Sequence, residues 1–213
     1  MQRFGLFGTY PSNRDERIDI FCPRMLVISL LRGLNVGSYR RISMDALRAV
    51  YESLNLYQPT TYAQSGNVLF WATQRDLCKL AARIENGIER GFNFRSQVIL
   101  RTVSELSNVV DRNPFAARRG FAASNLFVVF LPDYPAADVQ RKVLAIKTHP
   151  AQPVIDSREL YIYFPNGMAG SKLPMAQIEK TLNAKPVGRK WNSVTKLLVK
   201  AKALKLGMRS DRI

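Results

Sequence analysis

From Met25 onward, short and nearly continuous apolar runs alternate with longer stretches whose apolar residues recur at helical spacing. Met25–Leu31 reads as a strand, and a polar glycine-containing loop from Arg32 to Ile42 follows it. An amphipathic helix is predicted from about Met44 to Leu54, with Ser43 placed to cap it. Thr60–Gln64 and Asn67–Trp71 flank a Ser65-Gly66 turn and form a hairpin. Thr73-Gln-Arg-Asp76 resembles a capping box ahead of a helix to about Arg90, and Gln97–Thr102 closes the series as a strand. A second capping box, Thr102-Val-Ser-Glu105, opens a helix that stops before Asn113-Pro114. The order then begins again: strand Asn125–Leu131, helix from about Pro135 to Lys147, strands Pro153–Ile155 and Leu160–Phe164, helix from about Pro174 to Asn183, strand near Val187–Trp191. A final helix from Asn192 to about Leu206 keeps Val194, Leu197, Leu198, Ala201 and Leu204 on one side.

The fold class that follows is α+β, with two ferredoxin-like βαββαβ halves in tandem, a connecting helix and a C-terminal helix. Its divisions are a leader at 1–24 without helical or strand period, a first half at 25–102, a connecting helix and loop at 103–124, a second half at 125–191, and a basic helix and tail at 192–213. Met25 is a candidate natural start, with the leader as a disordered segment or upstream extension. The halves match by element order alone, because no residue-level repeat is visible between them. Leu26–Leu31, Val68–Trp71 and Leu126–Leu131 are apolar on both alternations, so both sheet faces should be covered. Recognition of RNA on an open sheet face is therefore disfavoured in the first half. Tyr161 and Tyr163 alternate on one side of a strand, and cross-strand packing is expected of them in preference to stacking on bases.

Charge changes the picture more than composition does. The 213 residues carry 32 Lys+Arg against 16 Asp+Glu, a formal net charge of +16. Between Lys185 and Ile213, nine basic residues stand against Asp211 alone. That surplus favours polyanionic partners, although it also fits a solvated helix face. No apolar stretch is long enough to cross a bilayer, the leader lacks the apolar core of a signal peptide, and two cysteines make no disulfide framework. A reducing cytoplasm is expected, and a membrane partner is not.

Two polar constellations stand out. In a ferredoxin-like sheet the end of the first strand shares an edge with the hairpin, which brings Arg32 and Asn35 beside Gln64, Ser65 and Asn67. One cation, three amides and a hydroxyl around flexible glycines suit an oxyanion or polar ligand. In the second half, Asn166-Gly-Met-Ala-Gly-Ser171-Lys172 precedes a helix near the strand ending at Arg189-Lys190-Trp191-Asn192, and Ser171, Lys172, Arg189 and Asn192 suit phosphate. The spacing is not that of a nucleotide P-loop. Turn and cap chemistry accounts for the same residues equally well.

These runs carry a resemblance. Arg-Gly-Leu-Asn-Val-Gly (32–37), Tyr-Ala-Gln-Ser-Gly-Asn-Val (62–68), Asn-Pro-Phe (113–115), Gly-Met-Ala-Gly-Ser-Lys-Leu (167–173) and Arg-Lys-Trp-Asn-Ser-Val (189–194) resemble, in order, the signatures of the bacterial family known as domain of unknown function 1697. The departures are Ser38 for the usual glycine, Lys190 for Asn and Ser193 for Thr. The resemblance implies no activity. Polar motif residues do read more naturally as a ligand site than as packing.

Catalytic machinery is sparse. His149 is the single histidine and sits before Pro150 in a loop, so no His-based triad or histidine cluster can be assembled. Cys78, among Leu77, Leu80 and Ala81, reads as a buried structural thiol. No carboxylate lies in the motifs, and nothing singles out Asp45, Glu52 or Asp111 as a base. No cofactor or metal is expected. Two functions lead, a protein binding phosphate-containing ligands, most simply nucleic acid, or an enzyme that holds a small anionic or nucleotide-like molecule by electrostatics and positioning, and a purely structural or interaction role stays open beside them.

Overall fold

The structure is a computed structural model that describes residues 24–34, 42–64 and 66–210, so the leader and the candidates Asn35 and Ser65 lie outside the described residues. The first half runs β1 (Met25–Leu31), α1 (Met44–Ser53), β2 (Tyr57–Tyr62), β3 (Asn67–Ala72), α2 (Leu77–Phe92), β4 (Val98–Thr102) and α3 (Val103–Asp111). After a single 3-10 turn at Ala123–Asn125, the second runs β5 (Leu126–Phe130), α4 (Ala137–Leu144), β6 (Gln152–Asp156), β7 (Glu159–Tyr163), α5 (Met175–Leu182), β8 (Val187–Lys190) and α6 (Trp191–Ser210). The antiparallel sheets have the orders β2-β3-β1-β4 and β6-β7-β5-β8, so the expected ferredoxin-like halves are present. The expected connecting and C-terminal helices follow the two halves. The last strand of each passes without a loop into a helix, α3 or α6, and these two helices pack on each other.

Three cores explain why the strands are apolar throughout. One face of the first sheet, with Val27, Leu31, Val68 and Phe70, packs on α1 and α2 through Leu47, Tyr51, Leu80 and Ile84. The corresponding face of the second sheet, with Val129, Leu160 and Ile162, packs on α4 and α5 through Val143 and Ile178. The remaining faces share a third core, in which Leu26, Ile28 and Leu69 meet Val128, Phe130 and Tyr161 around Leu106, Val109, Trp191, Val194 and Leu197 from α3 and α6. Both tyrosines of β7 are buried there. The Tyr161 hydroxyl donates to the Val109 carbonyl at 2.9 Å, and Tyr163 stacks on Phe115 and Phe121 with ring centroids 5.3 and 5.9 Å away. Base stacking on β7 is closed off, as the alternation of the strand implied.

Local signals resolve mostly as read. Ser43 caps α1 by accepting from the Ala46 amide, and Thr102 with Glu105 forms the reciprocal capping box of α3. The capping box at Thr73 does not form. Asp76 is the cap of α2, its carboxylate accepting from the Lys79 amide at 3.0 Å, because an ionised Asp is the stronger cap and stands next to the apolar run. Cys78 is exposed rather than buried: it lies one residue around the helix from the Leu77-Leu80-Ile84 stripe that faces the core.

Candidate functional site

The loop after β1 and the β2–β3 hairpin meet, as shared edge geometry requires. The Leu31 amide donates to the Gly66 carbonyl at 2.9 Å. Gly66 adopts φ +74°, and a Cβ there would fall 3.0 Å from Leu34 Cδ1, so conformation and space both call for glycine. Gln64 is exposed on this hairpin, and the Asn67 amide is fully buried beneath it.

The cations of the two constellations point elsewhere than their sequence neighbourhoods suggest. Arg32 turns across to the second half, where one Nη donates to both oxygens of the Glu179 carboxylate on α5 at 2.8 and 2.9 Å. Arg189 turns across to the first half. Its Nε donates to Asn67 Oδ1 at 2.7 Å, Nη2 to the carbonyls of Leu31 at 2.8 Å and Gly66 at 3.2 Å, and Nη1 to the carbonyl of Gly188 at 2.8 Å. Asn67 in turn donates through Nδ2 to the Tyr62 carbonyl at 3.1 Å. Burial pulls the Arg189 guanidinium down to about 10. The second constellation is thereby divided. Ser171 and Lys172 lie on an exposed loop, with the Ser171 hydroxyl donating to the Gly167 carbonyl, while Arg189 is buried under the first half's hairpin and Asn192 is exposed on the first turn of α6. Among the described residues no hydrogen bond joins Ser171 or Lys172 to Arg189 or Asn192. What the structure does bring together at this end of the seam is Arg189 with Asn67 and the carbonyls of Leu31 and Gly66, directly before α6. Lys196 is exposed on α6, and the Lys200 ammonium lies 5.7 Å from the centre of the Tyr62 ring.

The opposite end of the seam is also charged, and sequence reasoning passed over it. Arg101, 1% exposed, donates from Nε to Glu159 at 3.0 Å and from Nη2 to the Leu131 carbonyl at 2.8 Å. Arg112 pairs with Asp156 at 2.6 Å, and Arg158 pairs with Glu105. Burial pushes Glu159 up, against the pull of Arg101. At Glu105 burial also pushes upward, but hydrogen bonds from Thr102 and the Arg158 charge outweigh it and hold the group below the usual carboxylate range. A small polar cavity of about 120 Å³ lies among these side chains. The missed signal was strand parity: Arg101 and Arg189 stand two residues after inward-facing Ile99 and Val187, on the buried alternation.

Among the described residues no helix is long and apolar enough to cross a membrane, and no three His, Cys, Asp or Glu gather where they could hold a metal ion.

The comparisons with known proteins bear on the fold. Residues 25–161 match the model of a family described as protein of unknown function, DUF1697. The chain is similar in structure to the conserved bacterial protein SP0830 from Streptococcus pneumoniae, with a TM-score of 0.64 and 17% identity over 84% of this chain and 99% of that one. No curated protein matches the chain significantly.

Proposed function

The chain belongs to the DUF1697 family, and since that membership brings no activity with it, we propose from the site itself that the protein binds phosphate-containing ligands, nucleic acid first among them. The observation that carries the reading is the placement of the basic C-terminal segment. It forms a helix, α6, that begins at the seam beside the polar hairpin and presents Lys196, Lys202 and Lys205 to solvent. Lysines on an ordered surface helix neutralise backbone phosphates and release their counterions, and affinity of that origin falls steeply with salt. Two cysteines in 213 residues fit a cytoplasmic home, where nucleic acid is the abundant polyanion.

Electrophoretic shifts with short single-stranded and duplex oligonucleotides test this. Binding at micromolar protein in low salt, weakening at physiological salt and on replacement of the exposed Lys196, Lys202 and Lys205 by alanine, is the expected result; no shift in low salt rejects it. A second reading, an enzyme acting on a small anionic substrate, draws on the burial of Asn67 and Arg189, because positioning chemistry favours groups locked by their own hydrogen bonds.

A further inference from the structure

The two ends of the seam are the same structure twice. Ile28 of β1 pairs with Arg101 as Val128 of β5 pairs with Arg189, and Leu30 pairs with Asn67 as Phe130 pairs with Glu159. Each arginine crosses to the other half and makes the same bonds. Nε reaches Glu159 at 3.0 Å or Asn67 at 2.7 Å. Nη2 reaches the carbonyl ending the opposite first strand, Leu131 or Leu31, at 2.8 Å in both cases. Nη2 also reaches the hairpin carbonyl of Arg158 at 3.4 Å or Gly66 at 3.2 Å. The hairpin carbonyls accept from the Leu131 and Leu31 amides at 2.8 and 2.9 Å. Because α3 and α6 each start directly after the strand bearing this arginine, their residues correspond one to one. Arg112 on α3 meets Asp156 where its counterpart Lys200 on α6 lies over Tyr62, the counterpart of Asp156 by strand register.

The charges at these matched positions have diverged. At one end three cations, Arg101, Arg112 and Arg158, are matched by three carboxylates, Glu105, Asp156 and Glu159. At the other, the positions of those carboxylates hold Ser193, Tyr62 and Asn67, while Arg189 and Lys200 keep two of the three cationic positions, Gly66 takes the third, and Lys196 replaces the neutral Asn108. Lys196 and Lys200 are also a like-charge pair at i, i+4, an arrangement that weakens a helix. Among the described matched positions one end thus stays positive where its twin is neutral, and at a cost to its own helix, an imbalance that a bound anion would offset.

We propose that the two ends of this internal dyad have divided their roles: the Arg101 end is a neutral lock, and the Arg189 end is a site for a phosphate group, gripped by Lys196 and Lys200 beside Tyr62 and Asn67. The site rests on the phosphate-ligand reading above and gives it a location. Lysine ammonium groups serve as point charges on such a group and leave its identity, nucleotide or free phosphate, to the rest of the surface.

Calorimetric titration with inorganic pyrophosphate and with a short single-stranded oligonucleotide tests it on three variants, each checked by thermal melting. Tyr62→Asp restores the carboxylate that faces the cation at the lock end, the Lys196→Ala/Lys200→Ala double variant removes the grip, and Asp156→Asn unbalances the lock. The expected result is a loss of pyrophosphate affinity of at least tenfold in the first two variants and none in the third. If the oligonucleotide follows the same pattern, the ligand is nucleic acid. If pyrophosphate follows it and the oligonucleotide does not bind at all, the site stands and the nucleic-acid reading falls. Oligonucleotide binding that all three variants leave intact overturns the site while sparing the nucleic-acid reading, and pyrophosphate binding lost only in Asp156→Asn places the site at the wrong end. Should Tyr62→Asp fail to fold, the lysine double variant decides.

Discussion

Arg101→Met tests the lock directly. The guanidinium is 1% exposed and holds together Glu159, the Leu131 carbonyl and the Leu100 carbonyl, the first two from the opposite half. Methionine fills much of the volume but leaves the Glu159 carboxylate, 7% exposed, buried without its partner. Breaking a buried pair in this way costs about 3–5 kcal/mol, a large share of the roughly 5–15 kcal/mol that a protein of this size has to lose. Glu159 already stands above its ordinary value through burial, with Arg101 pulling it down. In the variant it should stand higher still, so the folded state binds a proton that the unfolded state does not. Stability of Arg101→Met should therefore rise as the pH falls from 7 toward the ordinary carboxylate value and be lost again as the pH rises through the raised one. Adding Glu159→Gln removes the stranded charge and should recover most of the loss. Urea unfolding of the parent, both single variants and the double variant, at pH 7 and pH 5, gives the coupling energy. A cost under about 1 kcal/mol for Arg101→Met, or a double variant no more stable than Arg101→Met alone, would refute the assignment of this pair as a lock.

Trp191→Ala should cost about 3–5 kcal/mol in urea unfolding, since the ring is 7% exposed in the core shared by the two sheets, whereas Lys172→Ala, on an exposed loop, should melt with the parent. Gly66→Ala should lose more than about 1 kcal/mol, as the φ of +74° and the close Leu34 contact both resist a Cβ; an unchanged melting temperature would mean that the hairpin is not held as described. Cys78 is exposed, so a Cys22→Ser variant should react with a thiol reagent in the native state as fast as when unfolded.

How much of this was legible in the sequence depends on which physical quantity each feature leaves in it. Burial and turning leave strong traces. The doubled apolar alternation of Leu26–Leu31 and Leu126–Leu131 announced covered strands, Ser65-Gly66 announced a hairpin, and Thr102 with Glu105 announced a helix start, so both halves were readable. What covers a face leaves no trace of its own. The alternation in β4 and β8 required Arg101 and Arg189 to be inward, but not that each would cross to the other half, and Arg189 was accordingly grouped with its sequence neighbours Lys172 and Asn192. The internal repeat was hidden for a related reason. Each crossing arginine takes most of its bonds from main-chain carbonyls, at Leu31, Gly66 and Gly188 or at Leu131, Arg158 and Leu100, and any residue supplies a carbonyl. The geometry can thus persist while the side chains around it change freely, Gly66 against Arg158, Asn67 against Glu159, Ser193 against Glu105. Only one side-chain acceptor per end had to stay polar, and that single constraint is satisfied by an amide at one end and a carboxylate at the other. A duplicated backbone network with interchangeable side chains is what allows one end to be neutralised as a lock while its twin remains positive.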